Sequence, residues 1–355
     1  MSDFLSAAFP ALGERLPKTV LADLPTPLEQ KSVSTAGGMR TILVKRDDLS
    51  STAYGGNKIR KLEYIFQRAL SRRATRVATF GSVGSNHALA TAIFARDAGL
   101  DCTCFLAHQT LTPKVPYTLN MHRRLGTEIV RYGGGVEPVP LFRKYLQRRR
   151  AWVIPLGGSS WLGTVGFVNA GLELAAQITN SDLPRPDRIY IANGTMGSVA
   201  GLLLGLAAAE LPAEVHAVRV ADSRFTNPAV LDRLMRKTAV IMHSYDTSFD
   251  AGLADRVKLQ WRDEFFAGGY AKSDEKTEQA VRQAQQDTGL RLETTYTGKA
   301  MAALLHDLQL SENGDRTFLF WNTHNASALP VTAEKPDSPG NIPDEFYNRY
   351  YCVEA

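Results

Sequence analysis

The segment KRDDLSSTAYGGNKIRKLEYIF, Lys45–Phe66, marks a change from one type of secondary structure to another. The residues RTILVK that lead into it are typical of a strand. Gly55 and Gly56 stand directly before Asn57 and Lys58, and hydrophobic residues then recur at helical spacing, at Ile59, Leu62, Ile65, Phe66 and Leu70. The segment therefore predicts a strand, a glycine turn and a helix that begins beside a lysine.

The same alternation of short β-like runs and longer helical runs continues along the chain. The other runs typical of strands are RVATFGS, CTCFLA, TEIVRYG, AWVIPLGG, RIYIANG, EVHAVRVA and TFLFWNTH. Alternation of this kind predicts parallel sheets covered by helices. Because the runs form two sets, we expect an α/β fold with two lobes, each an open twisted sheet covered by helices.

Composition and charge limit the class of protein. The chain has 355 residues, of which 44% are hydrophobic and 22% charged, as in an ordinary globular protein. The net charge is +5 and the basic residues are spread along the chain, so we expect no nucleic-acid partner. Three cysteines predict neither a disulfide scaffold nor a metal site. The absence of a signal-like start and of a long apolar run favours a cytoplasmic protein without a membrane span.

Ligands of open parallel sheets bind beyond the carboxyl ends of the strands, so the turns at these ends are the candidate sites. In the turn YGGNK, Lys58 follows glycines that allow unusual backbone angles. A lysine in a partly desolvated pocket has a lowered pKa and acts as a nucleophilic amine. The alternative is a solvated lysine near the start of a helix.

A second turn lies in TFGSVGSNHALA, where Ser85, Asn86 and His87 open a helix. Free N–H groups and the positive dipole end at a helix start favour an anion. A substrate carboxylate is the expected ligand, with Ser85 as an additional donor. The alternative is that Ser85 only caps the helix and that His87 packs in support.

A third turn, in IANGTMGSVAGL, joins a hydrophobic strand to an apolar helix that we expect to be buried. Its residues are Gly194, Thr195, Met196, Gly197 and Ser198. Backbone N–H groups in such a turn cradle a phosphate, although the spacing matches neither a P-loop nor G-x-G-x-x-G. A glycine turn without a ligand is the alternative.

A fourth turn lies in TTYTGKAM, where Tyr296 offers a phenol to a reacting group. The alternative is a buried tyrosine beside a helix cap. A lysine amine, a phosphate-binding turn, a carboxylate-binding helix start and a phenol together suit pyridoxal 5'-phosphate.

The chain resembles the fold-type II pyridoxal-phosphate enzymes, in particular the group that contains D-cysteine desulfhydrase and 1-aminocyclopropane-1-carboxylate (ACC) deaminase. The resemblance runs from LPTPLEQ to FLFWNTHNASAL and is most specific in KRDDLSSTAYGGNKIRKLEY, GSNH, VIPLGGSSWLGTVGFVNAGLEL and YTGKAM. It implies a tryptophan synthase β-like fold and a homodimer. The large cofactor-binding domain would comprise 1–57 and 169–355, with a smaller α/β domain, 58–168, inserted in it.

The resemblance also implies roles for individual residues. Lys58 corresponds to the lysine that forms the Schiff base, and the other implied catalytic residues are Tyr296, Ser85 and Tyr270. The implied cofactor-binding residues are Lys58, Asn86, Gly194, Thr195, Met196, Gly197, Ser198 and Thr323. The implied substrate-binding residues are Ser85, Asn86, His87, Gly158 and Trp161. No metal is implied.

The chain departs from the family pattern at two places near the expected pocket. The segment Asn322-Thr323-His324-Asn325 stands where the family usually has His-Thr-Gly-Gly. Ser160 and Trp161 stand where desulfhydrases more often have Asn and Ala. These departures leave the identity of the substrate open.

The resemblance implies a lyase or deaminase that acts on a small amino acid. Elimination from D-cysteine, to give a 2-oxo acid, ammonia and sulfide, is the expected reaction. The alternatives are ACC ring opening to 2-oxobutyrate, amino-acid racemisation by the same lysine, and cofactor binding without turnover.

Overall fold

The computed structural model describes residues 3–133, 138–148, 150–310, 313–326 and 344–351. The strands in these ranges are β1 Leu28–Thr35, β2 Gly38–Lys45, β3 Arg76–Ser82, β4 Asp101–Ala107, β5 Glu128–Tyr132, β6 Ala151–Val153, β7 Arg188–Asn193, β8 Glu214–Arg219, β9 Leu259–Arg262 and β10 Phe318–Trp321. The helices are α1 Phe4–Ala8, α2 Pro10–Arg15, α3 Lys58–Ser71, α4 Asn86–Asp97, α5 Lys114–Arg124, α6 Pro138–Leu146, α7 Trp161–Thr179, α8 Gly197–Ala208, α9 Pro228–Tyr245, α10 Glu275–Thr288, α11 Thr297–Leu308 and α12 Asp344–Tyr351. Of the segment FLFWNTHNASAL, Ser327, Ala328 and Leu329 lie outside the described residues.

The chain forms two compact units, Met1–Tyr64 with Ser159–Ser327 and Ile65–Gly158 with Ala328–Ala355. We call them the first unit and the second unit. Each contains one sheet with helices, which confirms the predicted α/β class. The domain limits implied by the resemblance, with 58–168 inserted between 1–57 and 169–355, stay a prediction.

The described strands of the first unit form a sheet in the order β1-β2-β10-β7-β8-β9. Neighbours from β2 to β9 run parallel, as predicted. The pair β1 and β2 is antiparallel, which corrects the expectation of a wholly parallel sheet. Two residues separate the two strands, and so short a connection joins only antiparallel neighbours.

The described strands of the second unit form a parallel sheet in the order β5-β4-β3-β6. Alternate residues of β4 face opposite sides, because side chains alternate along a strand. Leu106 packs in a cluster with Val83, Ala88, Leu119 and Phe346. Phe105 packs on the other side with Ala78, Phe80, Phe142 and Tyr145. The first cluster holds the start of α4 against the end of β3.

Three glycines bring α7 close to α8 and to the first turn of α3. A Cβ on Gly166 would lie 2.1 Å from the carbonyl oxygen of Arg60. A Cβ on Gly201 or Gly205 would lie 2.3 Å from a carbonyl oxygen of α7. Because only a hydrogen fits at these positions, the glycines set how near the start of α3 lies to α7.

Helix α8 is nearly all apolar, and its residues from Gly197 to Leu206 are buried. This burial confirms the prediction made from its sequence, since a helix that is hydrophobic on all sides belongs in a core. No helix within the described ranges combines the length and the apolar character needed to cross a bilayer.

Candidate active site

Lys58 is the first residue of α3 and follows Gly56, whose φ of +100° lies in the region that favours glycine. The Lys58 side chain is partly buried and has no hydrogen bond or ion pair to any described residue. Burial lowers the pKa of Lys58 to about 8. A fraction of its amine is therefore uncharged, and nucleophilic, near neutral pH.

Lys61 lies one helical turn after Lys58 and was not predicted as a site residue. It is 1% exposed, and its Nζ lies 3.4 Å from Ser159 Oγ. A Cβ on Gly197 would lie 2.9 Å from the same Nζ. Burial and then the charge of Lys58 hold the pKa of Lys61 well below its ordinary value. Its spacing of three residues from Lys58 places both lysines on one face of α3.

The predicted phosphate turn, 194–198, joins β7 to α8. Ser159 Oγ lies 2.7 Å from Thr195 Oγ1 and accepts the N–H of Gly197 at 3.2 Å. Met196 has a φ of +65°, and α8 begins at the next residue. The N–H groups of a first helical turn have no partners within their helix, and anions bind at such groups.

The turn is also fixed to the residues before Lys58. Asn57 Nδ2 donates to Ser198 Oγ at 2.9 Å. This bond ties the start of α3 to the start of α8, so that Lys58 and the turn 194–198 belong to one local arrangement.

A buried amide at the end of β7 lacks a partner. Asn193 is 1% exposed, and neither its Nδ2 nor its Oδ1 is hydrogen-bonded to a described residue. Unsatisfied buried amides are costly, and such a group beside an anion-binding turn indicates a missing ligand. Together with the amine of Lys58 and the close approach of Lys61 to Gly197, this amide fits a ligand that carries a phosphate group and an aldehyde, as pyridoxal phosphate does.

The structure brings together the two tyrosines that the family resemblance singled out. The hydroxyl groups of Tyr270 and Tyr296 form a short hydrogen bond, and their rings meet edge to face at 5.8 Å. Burial, followed by the neighbouring Tyr270 hydroxyl, raises the pKa of Tyr296 well above its ordinary value. The Tyr296 phenol therefore stays protonated at neutral pH. Its ring also lies 3.9 Å from the position of a Cβ on Gly194, beside the predicted phosphate turn.

The unusual segment 322–325 packs against the glycine turn that precedes Lys58. The backbone carbonyl of Thr323, a buried residue, accepts the N–H of Asn57 at 3.3 Å. Asn325 Oδ1 accepts the N–H of Gly55 at 2.7 Å. The asparagine that departs from the family pattern thus binds the turn and holds it in place.

A buried network of charged side chains lies beside the first turn of α3 and was also not predicted. Its members are Lys45, Asp47, Arg60 and Glu173, each at most 1% exposed. Arg60 donates to Asp47 at 2.7 Å and to Glu173 at 2.8 Å. Lys45 forms a short ion pair with Glu173. The network contains two positive and two negative charges. Asp47 and Glu173 hold the Arg60 guanidinium, two residues after Lys58.

Ser85, Asn86 and His87 lie in the second unit, at the start of α4. Ser85 caps the helix, since its Oγ accepts the N–H of Ala88 at 3.2 Å. Asn86 Oδ1 accepts a short hydrogen bond from Lys114 Nζ. The cap considered as the alternative reading of Ser85 is therefore present, and its predicted contact with a substrate stays a prediction.

His87 is 3% exposed, and its Nε2 lies 2.9 Å from Thr79 Oγ1. This contact agrees with the supporting role considered for His87. Gly158, also in the second unit, is buried and has a φ of +67°, which only glycine adopts readily.

Trp161 is the first residue of α7, and Ser160 caps this helix by accepting the N–H of Gly163 at 3.2 Å. The Trp161 ring stacks on Tyr245 of α9, with ring centres 6.3 Å apart and planes 24° apart. One face of the indole is thus covered by α9. The predicted contact of Trp161 with a substrate stays a prediction.

Comparisons with known proteins identify the family of this chain. The model of the family described as "Pyridoxal-phosphate dependent enzyme" matches residues 20–322. A D-cysteine desulfhydrase of Salmonella schwarzengrund (strain CVM19633) is 33% identical over 325 residues, which cover 89% of this chain and 96% of that protein. A D-cysteine desulfhydrase of Yersinia pestis (strain Pestoides F) is 33% identical over 326 residues, with the same coverage.

Solved structures support the same assignment. A crystal structure of an ACC deaminase homologue has a TM-score of 0.72 and 28% identity, and the match covers 92% of this chain and 96% of that one. A threonine deaminase isoform of Solanum lycopersicum, with a TM-score of 0.60 and 15% identity over 90% of this chain and 90% of its own, shows the shared fold. Fold-type II architecture and the use of pyridoxal 5'-phosphate in elimination or deamination are therefore established for this chain, which belongs to the pyridoxal-phosphate dependent enzyme family.

Proposed function

We propose that this enzyme eliminates hydrogen sulfide from D-cysteine. Water is consumed, and pyruvate and ammonia are the other products. The observation that carries the proposal is the 33% identity to D-cysteine desulfhydrases across 89% of the chain. The amine of Lys58, the phosphate turn and the paired tyrosines supply the groups that such a reaction needs.

The cofactor supplies an aldehyde that joins the substrate amine and a ring that withdraws electrons from Cα. Lys58 is the residue that we assign to carry the aldehyde at rest. Its amine, once released, takes the proton from Cα of the substrate. A pKa of about 8 suits a base that works near neutral pH, where general acid–base help contributes about 10²–10⁴-fold.

Lys61 and the turn 194–198 are assigned to the cofactor phosphate. The N–H groups at the start of α8 favour an anion, and Lys61 adds a cation 2.9 Å from the position of a Cβ on Gly197. Asn193, whose amide has no partner among the described residues, is a further donor beside this turn. These three features orient the phosphate without a P-loop.

Tyr296 and Tyr270 are assigned to the leaving sulfur. A protonated Tyr296 donates a proton to the departing thiolate, and Tyr270 stabilises the resulting phenolate through the hydrogen bond between the two hydroxyls. The raised pKa of Tyr296 keeps its phenol protonated, as a general acid must be before it acts.

The remaining roles come from the family resemblance. Ser85, Asn86 and His87 are proposed to receive the substrate carboxylate at the start of α4, and Asn86 also the ring hydroxyl of the cofactor. Thr323 is proposed to hold the ring nitrogen. Gly158 and Trp161 are proposed to contact the substrate.

ACC deamination is the second candidate, because the ACC deaminase homologue has a TM-score of 0.72 to this chain. In that reaction the ring of ACC opens to 2-oxobutyrate and ammonia. The same lysine, phosphate turn and tyrosines serve both reactions. The two proposed reactions therefore differ only in which substrate the enzyme accepts.

The deciding experiment supplies D-cysteine, L-cysteine and ACC separately to the holoenzyme and measures sulfide, pyruvate and 2-oxobutyrate. We expect sulfide and pyruvate from D-cysteine at equal rates, and no 2-oxobutyrate from ACC. Lys58→Ala should abolish sulfide release, whereas Lys31→Ala, which removes a partly exposed lysine of β1, should not change it. Sulfide release by Lys58→Ala, or turnover of ACC in place of D-cysteine, would contradict the proposal.

We also propose that the enzyme is a homodimer in the cytoplasm. The homodimer follows from the family resemblance, and the cytoplasm from the low number of cysteines. Light scattering of the purified holoenzyme should give twice the mass of one chain. Fractionation of the source cells should place the activity with cytoplasmic markers.

A further inference from the structure

A buried lysine on α11 holds the loop that carries Tyr270. Lys299 has no exposed surface, and its Nζ donates to the backbone carbonyls of Phe266 at 2.7 Å and Gly269 at 3.0 Å. The Nζ also lies 5.3 Å from the centre of the Phe266 ring. Gly269 directly precedes Tyr270. The Lys299 amine therefore holds the carbonyl group of the peptide bond that joins Gly269 to Tyr270.

The loop adopts backbone angles that need support. Ala267, Gly268 and Ala271 have φ values of +55°, +71° and +57°. Side chains with a Cβ adopt such angles at an energetic cost, and strained segments of this kind persist only where other contacts impose them. The two hydrogen bonds from Lys299 lie within this strained stretch and act against its relaxation.

The contacts close a ring around the paired tyrosines. Tyr296 immediately precedes α11, and Lys299 follows it by three residues, about one helical turn. Lys299 binds the loop at Gly269, the loop presents Tyr270, and the Tyr270 hydroxyl bonds to that of Tyr296. We propose that Lys299 is a positioning residue that keeps the Tyr270 hydroxyl on Tyr296, and that its loss frees Tyr270 from this bond.

A lysine at this place is not explained by packing alone. Its neighbours on the helix, Ala300 and Met301, are buried and apolar, and burying an ammonium among them is costly unless it is paired or hydrogen-bonded. Burial lowers the pKa of Lys299 to about 8, although the charges of Glu293 and Asp274 raise this pKa. The charge of Arg219 lowers it further. The two hydrogen bonds from Lys299 to the loop offset the cost of burying the ammonium group.

The effect on catalysis rests on the proposed function of the two tyrosines. In the holoenzyme, Lys299→Met should lower kcat for sulfide release from D-cysteine by about tenfold, with a smaller change in KM. Tyr270→Phe should lower kcat by a similar factor. Because both changes remove the same hydroxyl from Tyr296, the double variant should be no slower than Tyr270→Phe alone. Losses that multiply in the double variant would overturn the proposal.

A second readout does not depend on the substrate. Hydrogen–deuterium exchange of the peptide that contains 266–271 should be about tenfold faster in Lys299→Met than in the unchanged protein. Lys276→Met, at an exposed position of α10, is the matched control and should not change this exchange. Unchanged exchange in Lys299→Met would overturn the proposal. If D-cysteine is not a substrate, the proposed function fails, and the exchange experiment still decides whether Lys299 holds the loop.

Lys299→Leu provides a second variant in which the side chain matches its apolar neighbours, and it should behave as Lys299→Met does. Thermal unfolding followed by circular dichroism checks that the variants fold. If both variants were unfolded at 25 °C, Lys299 would be required for the whole unit and not for the position of Tyr270, and the proposal would be overturned.

Discussion

The side-chain oxygen of Asn325 accepts the backbone N–H of Gly55 at 2.7 Å, across 270 positions of sequence. This bond connects the segment after β10 with the glycine turn that leads into Lys58. The family usually has a glycine where this chain has Asn325, and glycine offers no such acceptor. The departure therefore supplies a contact to the turn that carries the reactive lysine.

Loss of the Asn325 contact should loosen the turn before Lys58. Asn325→Gly restores the usual family residue but leaves the N–H of Gly55 without this partner. We expect the affinity for pyridoxal phosphate to fall by about 2- to 10-fold, the equivalent of one hydrogen bond. Cofactor titration followed by absorbance measures it. Asn180→Gly, at the exposed end of α7, is the control, and an affinity that Asn325→Gly leaves unchanged would refute the role of the contact.

Removal of the Lys61 amine should weaken the hold on the cofactor phosphate. Lys61→Met should lower the affinity for pyridoxal phosphate by about 10- to 100-fold, as expected for a hydrogen bond to a charged group. The control is Lys31→Met, which changes a partly exposed lysine of β1. Equal affinity in Lys61→Met and the control would rule out the contact.

Cofactor binding should also involve proton uptake by Lys61. Without the cofactor, burial and the charge of Lys58 hold the pKa of Lys61 well below its ordinary value, and a bound phosphate raises it. Calorimetry in two buffers of different ionisation enthalpy, repeated from pH 7 to pH 10, should therefore detect uptake, and Lys61→Met should reduce it. Binding without uptake in the unchanged protein would contradict this linkage.

Glu173 should be essential for stability. Burial alone would raise its pKa, but Arg60 and Lys45 lower it from 4.5 to about 2. Its contribution is therefore complete above about pH 4.5 and is lost as the pH falls toward 2. Glu173→Gln leaves Arg60 and Lys45 buried without this partner and should cost about 3–5 kcal/mol at pH 7. Urea unfolding of Glu173→Gln and of Glu14→Gln, an exposed control, measures the difference, and a loss below about 1 kcal/mol would show that the network is dispensable.

Attachment of the cofactor aldehyde should depend on the ionisation of Lys58. Because burial lowers its pKa to about 8, the rate of attachment to the cofactor-free enzyme should rise through pH 8 and level off above it. An ordinary lysine has a pKa of about 10.4 and would give a rate that still rises at pH 10. Stopped-flow absorbance from pH 6.5 to 10 distinguishes the two profiles.

The strand-end turns were the part of the site that the sequence predicted best. Glycines before Lys58 and between β7 and α8 indicate sharp turns. The second turn follows β7 directly, whereas Gly55 lies ten positions after Lys45, the last residue of β2. Lys61 was not recognised because a lysine in the first turns of a helix is usually solvated. Only the structure shows that its side chain is buried and points toward Ser159. Asn325 was recognised only as a departure, since its bond to Gly55 joins residues far apart in sequence.

Strand β1 and the charged network were missed for different physical reasons. In β1 only Val33 is buried, so the hydrophobic alternation that marks a strand is weak there. Lys45 and Glu173 look like solvated charges in the sequence. The ion pairs that Glu173 forms with Lys45 and with Arg60 depend on contacts between a strand and two helices. Pairing over such distances is a property of the fold and not of any local pattern.

The glycines of α7 and α8 restrict how this enzyme can acquire a new substrate. At positions 166, 201 and 205 a methyl group would meet a main-chain oxygen at 2.1–2.3 Å, so randomising these interior positions in a library would yield mostly misfolded protein. Diversification belongs instead in the segments 159–161 and 322–325, which contain the residues that depart from the family pattern. Laboratory evolution of this scaffold should therefore accumulate its productive mutations in those two segments.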